Sequence, residues 1–163
     1  DTTADNNVKI SELHNVNNLT AGTEFQADKI WVGGDIELGD NSETRCLFAG
    51  GNVKLGSINE LQEIHFVRNP DKKDSGYRKL EFESTDIAPE SIRIYLGNIK
   101  KLDIFIKGLK NEEQVERFAD EKLNFFYEPE TPDSTKKLAK PDTAKARRLT
   151  ESECQHIKMY GVR

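Results

Sequence analysis

The chain has 163 residues, of which 35% are apolar and 33% charged, with a formal net charge of −5. That length fits one domain with a thin or elongated core, and no run of 18 or more apolar residues offers a membrane-spanning helix. The charge is uneven, −8 over residues 1–128 and +3 over 129–163; an acidic body repels phosphate backbones, which argues against nucleic acid as the main partner.

Asp1 to Asn7 is polar and opens without methionine, as expected of a processed or truncated N-terminus whose upstream part carried a leader, a membrane or filament anchor, or a helix. Residues 1–26 are Asn-rich, with few apolar positions before Phe25. They are expected to form an N-terminal cap over whatever edge follows.

The strongest signal comes next. Ile30-Trp31-Val32-Gly33-Gly34-Asp35-Ile36-Glu37-Leu38-Gly39 is matched in kind by Leu47-Phe48-Ala49-Gly50-Gly51-Asn52-Val53-Lys54-Leu55-Gly56 at every position except Glu37/Lys54, which is polar in both. Two short apolar-alternating runs around a Gly-Gly corner, at fixed period, predict a β-solenoid over 27–128. The glycines supply positive φ or close backbone approach at the corner, and Asp35 and Asn52 stand where stacked coils can build a side-chain ladder. Weaker copies centre on Ile64, Leu80, Ile92 and Leu102, so the steps from residue 30 read 17, 17, 16, 12 and 10. Leucine-rich repeats need 20–29 residues per repeat and are excluded by this spacing.

Asn111 is expected to cap a helix near 111–123 that covers the far end, with Val115, Phe118, Ala119 and Leu123 on its apolar face and Glu112 and Glu113 in its first turn. Leu123 to Tyr127 reads as a strand. Residues 129–141, with Pro129 and Pro132, read as a linker. Residues 142–163 are expected to form a tail helix docking on the solenoid, capped by Asp142 and stopped at Gly161, with Thr150 and Glu153 as a second start signal if it breaks. The basic set Lys136, Lys137, Lys140, Lys145, Arg147 and Arg148 reads as a solvated face, or one docked on the acidic body.

Alternation names the candidate site. With Ile30 and Val32 inward, Trp31 points outward, as do Phe48 and His65 one coil apart. The three form an expected aromatic stripe, either a free face for sugar or partner contacts or a strip buried under the tail. Cys46 and Cys154 have no metal-ligand spacing. Either they pair across the fold, pinning the tail over the stripe, or both are free; an even count and the polar, extended character favour the oxidised pair.

No catalytic, metal or cofactor residues are assigned. His14, His65 and His156 are scattered, no GxSxG, P-loop or GxGxxG occurs, and the acids Asp35 and Glu37 lie over Asn52 and Lys54 rather than over a second acid pair. Asn18-Leu19-Thr20 is a lone sequon.

The 17-residue coil with glycine corners resembles the right-handed β-helix proteins, well over 27–67 and poorly over 77–108, and its repeat length is similar to that of the bactofilins. A capped, irregular solenoid with a tethered tail is also similar to extracellular surface modules such as solenoid-bearing minor pilins. The resemblance implies architecture alone. The expected function is a non-enzymatic secreted or surface-exposed structural or adhesive module, extracellular or on the cell surface, with a protein or glycan partner. The alternatives are a carbohydrate-active β-helix enzyme and an intracellular scaffold that polymerises through its coil ends.

Overall fold

The structure, a computed structural model, describes residues 1–15, 17–68, 75–87, 91–97, 99–131, 140–141 and 143–162. Its elements in order are β1 (Thr2–Ala4), β2 (Lys9–Asn15), β3 (Leu19–Ala21), β4 (Gln26–Val32), β5 (Ile36–Leu38), β6 (Ser42–Ala49), β7 (Val53–Leu55), β8 (Ile58–Phe66), β9 (Tyr77–Phe82), β10 (Ile92–Leu96) and β11 (Lys101–Lys107). Then come α1 (Glu112–Lys122), β12 (Leu123–Tyr127), β13 (Glu130–Thr131), β14 (Lys140–Pro141), a 3-10 turn at Thr143–Lys145, β15 (Arg147–Arg148), α2 (Glu151–Cys154) and β16 (Ile157–Val162).

The protein is mainly β. From β1 to β12 successive strands alternate between two seven-stranded sheets, ordered β1-β3-β5-β7-β9-β11-β16 and β2-β4-β6-β8-β10-β12-β15, while β13 and β14 pair apart. Every pairing inside them is parallel except β12 with β15. In one sheet the inward column runs Leu13, Ile30, Leu47, Ile64, Ile94, Phe125. In the other it runs Leu19, Ile36, Val53, Leu80, Ile104, Met159. Both columns belong to one continuous apolar core.

The long strands bend. Ala27 and Ile30 are both buried with exposed Asp28 between them, so two residues rather than one separate inward positions, and the pairing passes from Ala27↔Thr44 to Lys29↔Cys46. That is the physical meaning of the three-then-two apolar spacing: the strand turns a corner within itself and changes which face it presents.

The corners hold by close approach. A Cβ on Gly51 would lie 2.7 Å from the Gly34 carbonyl carbon and would meet Asp35 Oδ1, and one on Gly34 would meet Asn18 Oδ1. In the early repeats left-handed backbone falls instead on Asn7 (φ 62°), Glu24 (58°) and Asn41 (58°), which occupy the same place in three successive repeats. The expected ladder is present. Asn18 Oδ1 accepts from the Asp35 amide at 2.8 Å, Asp35 Oδ1 from Asn52 at 2.7 Å, and Asn52 Oδ1 from Lys79 at 2.9 Å. Each such bond contributes on the order of 1 kcal/mol net. Gly34 and Gly51, just before Asp35 and Asn52, leave room for the oxygen reaching up from the preceding repeat. Asn18 is thus occupied in this ladder, which explains its place in the chain without glycosylation.

Three expectations need correction. Residues 1–26 do not cover an end: β1, β2 and β3 extend both sheets in the register of the repeats that follow. Low apolar content misled because a strand with one wet face needs few apolar side chains. Leu80 does not follow Ile64 in one column; it pairs with Val53 in the other sheet, and the partner of Ile64 is Ile94. The shortening steps came from reading strands of both sheets as one series. Asn69 and Pro89 of that frame lie outside the described residues.

The tail is not a long helix. Asp142 lies outside the described residues, α2 is one turn, and Ile157–Val162 is a strand paired with β11. A strand wins because Ile157 and Met159 alternate with Lys158 and the edge of β11 offers unpaired backbone groups. Gly161 lies inside this strand, against the Leu109 carbonyl. The capping box at Thr150 and Glu153 forms as expected.

The Asn111 cap is also present, with Val115, Phe118 and Ala119 buried, and α1 packs on β12 and β16. In the expected linker, Glu130–Thr131 pairs antiparallel with Lys140–Pro141, and 132–139 lie outside the described residues.

Candidate site: an aromatic column with a buried imidazolium

The outward position that Trp31 and Phe48 take two residues before their glycine pairs carries a ring in six neighbouring strands of one sheet. His14, Trp31, Phe48, His65, Tyr95 and Phe126 are register partners. Their ring centroids are 6.2, 3.6, 4.4, 4.4 and 5.1 Å apart, and every pair is stacked. Parallel pairing forces this, because identical positions on adjacent strands lie about 4.8 Å apart, close to the distance at which flat rings stack. Trp31, Phe48 and His65 are therefore brought together as expected; Tyr95 and Phe126 extend the stripe beyond insertions that break the period, and His14 extends it at the other end, 17 residues before Trp31 and so within reach of the period.

The column is graded in exposure. His14 is exposed and Trp31 half-buried, while Phe48, His65 and Tyr95 retain 8%, 1% and 7% of their surface. Stacking occupies the planes of the inner rings, so solvent meets their edges. A sugar that packs flat on an aromatic plane has no plane to use in the middle of this column. Beyond Phe126, the Arg148 guanidinium lies 5.3 Å from the ring centroid and Arg147 lies 4.7 Å from that of Tyr127. These two tail cations, read from sequence as a solvated or docked basic face, close the ring columns at the end strand.

His65 is held by charge. Its Nδ1 is 2.6 Å from Glu128 Oε1 and its Nε2 is 2.8 Å from Glu63 Oε1. Both nitrogens face carboxylate oxygens, so the ring fits as a doubly protonated imidazolium donating to each. Burial, the largest influence, disfavours the charged ring, but bonds to Glu128 and Glu63 outweigh it and raise its pKa above the usual 6.5. The hydrogen bond from His65 holds Glu63 down at about 2, aided by Arg93 Nη2 at 3.0 Å from its other oxygen. Glu128, 2% exposed, keeps Oε2 without a partner. The cluster joins β8, β10 and the segment after β12.

The expected disulfide is not made. Cys46 is a buried free thiol, pushed by burial up to about 11, and Cys154 is an exposed free thiol. Cys46 sits in the interior strand β6, between Lys29 and Glu63 in register, whereas Cys154 ends α2 just before β16 of the other sheet. Tail strand β15 lies at the Phe126 end of the column and pairs with β12.

A second concave surface lies on the other side of the strand bend. Lys9, Gln26, Glu43 and Glu60 are successive register partners and line a groove of about 360 Å3 together with Asp28 and Arg45. Arg45 Nε bonds Asp28 Oδ1 at 2.9 Å. Among the described residues no cluster of three or more His, Cys, Asp or Glu is arranged to hold a metal ion, and no helix is long and apolar enough to cross a membrane. Compared with known proteins, the chain matches no family model, no curated protein and no solved structure.

Proposed function

We propose that the two sheets are walls of one single-stranded β-solenoid, and that the protein is a non-enzymatic structural or adhesive module, secreted or surface-exposed, of the kind that builds a pilus or surface appendage. The observation that carries this reading is the aromatic column. Six rings tie six strands together side chain to side chain, with a polar ladder running beside them. Reinforcement in every repeat suits a body that must stay rigid while it presents a surface. The partner, a protein or a glycan, would meet the exposed end of the column, His14 and Trp31, together with the neighbouring Glu12 and Lys29. Labelled protein applied to arrays of glycans and extracellular matrix proteins tests this. The expected result is saturable binding that Lys29→Glu weakens while the fold is kept; no binding on either array overturns the adhesive reading.

A carbohydrate-active enzyme is the second reading, favoured by the groove in which Glu43 and Glu60 stack with Asp28 and Arg45. Two carboxylates across a glycosidic bond can serve as acid and base. Release of reducing ends or unsaturated products from acidic polysaccharides, abolished by Glu60→Gln, would establish it; their absence leaves the first reading. End-to-end polymerisation is less supported, because α1 and the antiparallel β15 occupy one end.

A further inference from the structure

In the early repeats, the corner that joins a strand of one sheet to the next strand of the other stacks directly on the corner before it. The Gly34 amide donates to the Asn17 carbonyl at 3.1 Å, and the Gly50 amide to that of Val32 at 2.8 Å. At the last repeat only the first step of this stacking is kept, the Glu128 amide donating to the Leu96 carbonyl at 3.0 Å. Between Tyr127 at the end of β12 and Ile157 at the start of β16 the chain spends residues 128–156 instead of a short corner. The preceding corner, at Gly97 and Ile99, is left with a cavity of about 470 Å3 beside it. Its apolar lining comes from Leu96, Ile99, Leu102, Leu149 and Ile157, and its polar lining includes Lys100, Lys101, Glu153 and His156.

We propose that this missing corner is a binding site for a small amphipathic carboxylate, an apolar chain or ring bearing one anionic head. The volume lies within the range of about 300–1,000 Å3 typical of small-molecule sites, and an apolar lining with a few polar groups is their usual chemistry. The sign of the head follows from the rim. Glu153 is spent: Arg147 reaches its two oxygens at 2.8 and 3.1 Å, and the Thr150 amide donates to it at 2.9 Å. Lys101 is matched by Asp103 at 3.9 Å and lies 5.6 Å from the Tyr77 ring centroid, whereas Lys100 has no carboxylate within ion-pair distance among the described residues. The uncompensated rim charge is therefore positive, and an anion is the complement.

Calorimetric titration with decanoate, and with decanol as the uncharged control, tests the site. Decanoate should bind one site, at least about tenfold tighter than decanol. Lys100→Glu, an exposed change that leaves the fold intact, should remove most of that preference. Leu149→Trp, checked for native circular dichroism, should block both ligands by filling the cavity. No saturable decanoate binding, equal affinity for the two ligands, or decanoate binding unchanged by Lys100→Glu each overturns the proposal.

Discussion

The first half of the chain and the second solve the same stacking problem differently. Up to Phe66, the strands of each sheet follow one another at a near-constant step, so any side chain has its counterpart directly below, and backbone-like ladders form from Asn and Asp alone. From Tyr77 onward the step nearly doubles: the partner of Ile64 is Ile94, and that of Ile94 is Phe125. Insertions break the corners, and ions take over: Glu63 with Arg93, His65 with Glu128, Arg147 with Glu153. The inward columns and the ring column cross the boundary unbroken. Core register thus tolerates insertions throughout, and the corner ladder crosses them by one step, from Asn52 to Lys79.

Mutations that separate the two regimes should differ most at glycine. Gly51→Val places side-chain atoms against the Gly34 backbone, and is expected to cost more than about 3 kcal/mol or prevent folding, read by urea denaturation. Gly108→Ala, in the second half, meets only Thr85 Cγ2 at 3.9 Å and suffers chiefly from its φ of 97°, for a loss of about 1–2 kcal/mol.

Next in size is the buried ion cluster. His65→Leu leaves Glu128 buried without its cation and should cost about 3–5 kcal/mol, much of it regained in His65→Leu with Glu128→Leu. The pH dependence follows from the two shifts. The raised His65 pKa gives stabilisation that is full below about 6.5 and is lost as pH rises through the folded value. The lowered Glu63 pKa gives stabilisation that is present above 4.5 and is lost as pH falls toward about 2. The cluster's contribution should therefore peak between roughly pH 4.5 and 6.5, and thermal melts of wild type minus His65→Leu across pH would lose this peak if the ring were neutral.

Smaller effects test the ladders themselves. Asp35→Ala removes the acceptor for the Asn52 amide and should cost about 1 kcal/mol. Arg148→Ala uncaps Phe126 at the exposed end and should cost about 0.5–1 kcal/mol, measurable as a small shift in denaturation midpoint.

Legibility in the sequence followed the same division. Ile30, Val32 and Trp31 could be assigned to faces by alternation, and Asp35 and Asn52 to a ladder, because an undisturbed period places equivalent residues on top of one another. Asn111 announced α1 because a cap is a local interaction. Tyr95 and Phe126 could not be added to the stripe, since their distance from His65 depends on how much chain is inserted between strands. Ile157–Val162 was hidden for a related reason: its strand state is set by β11, which precedes it by the whole of α1, β12 and the tail excursion. Glu128 likewise gives no local sign that it will face His65, far earlier in the chain.

The left-handed residues Asn7, Glu24 and Asn41 mark where each copy of the early unit begins, and they make the length of the molecule adjustable. Excising residues 35–51 would join Gly34 to Asn52 and bring Trp31 over His65, Ile30 over Ile64, and the Asn18 carboxamide under the Asn52 amide. The ring, core and ladder contacts removed would be replaced by their equivalents from the neighbouring unit, at the loss of the Arg45–Asp28 ion pair. A gene encoding such a chain can shorten or lengthen by whole units in one recombination event, keeping both ends of the protein unchanged while altering the distance between them.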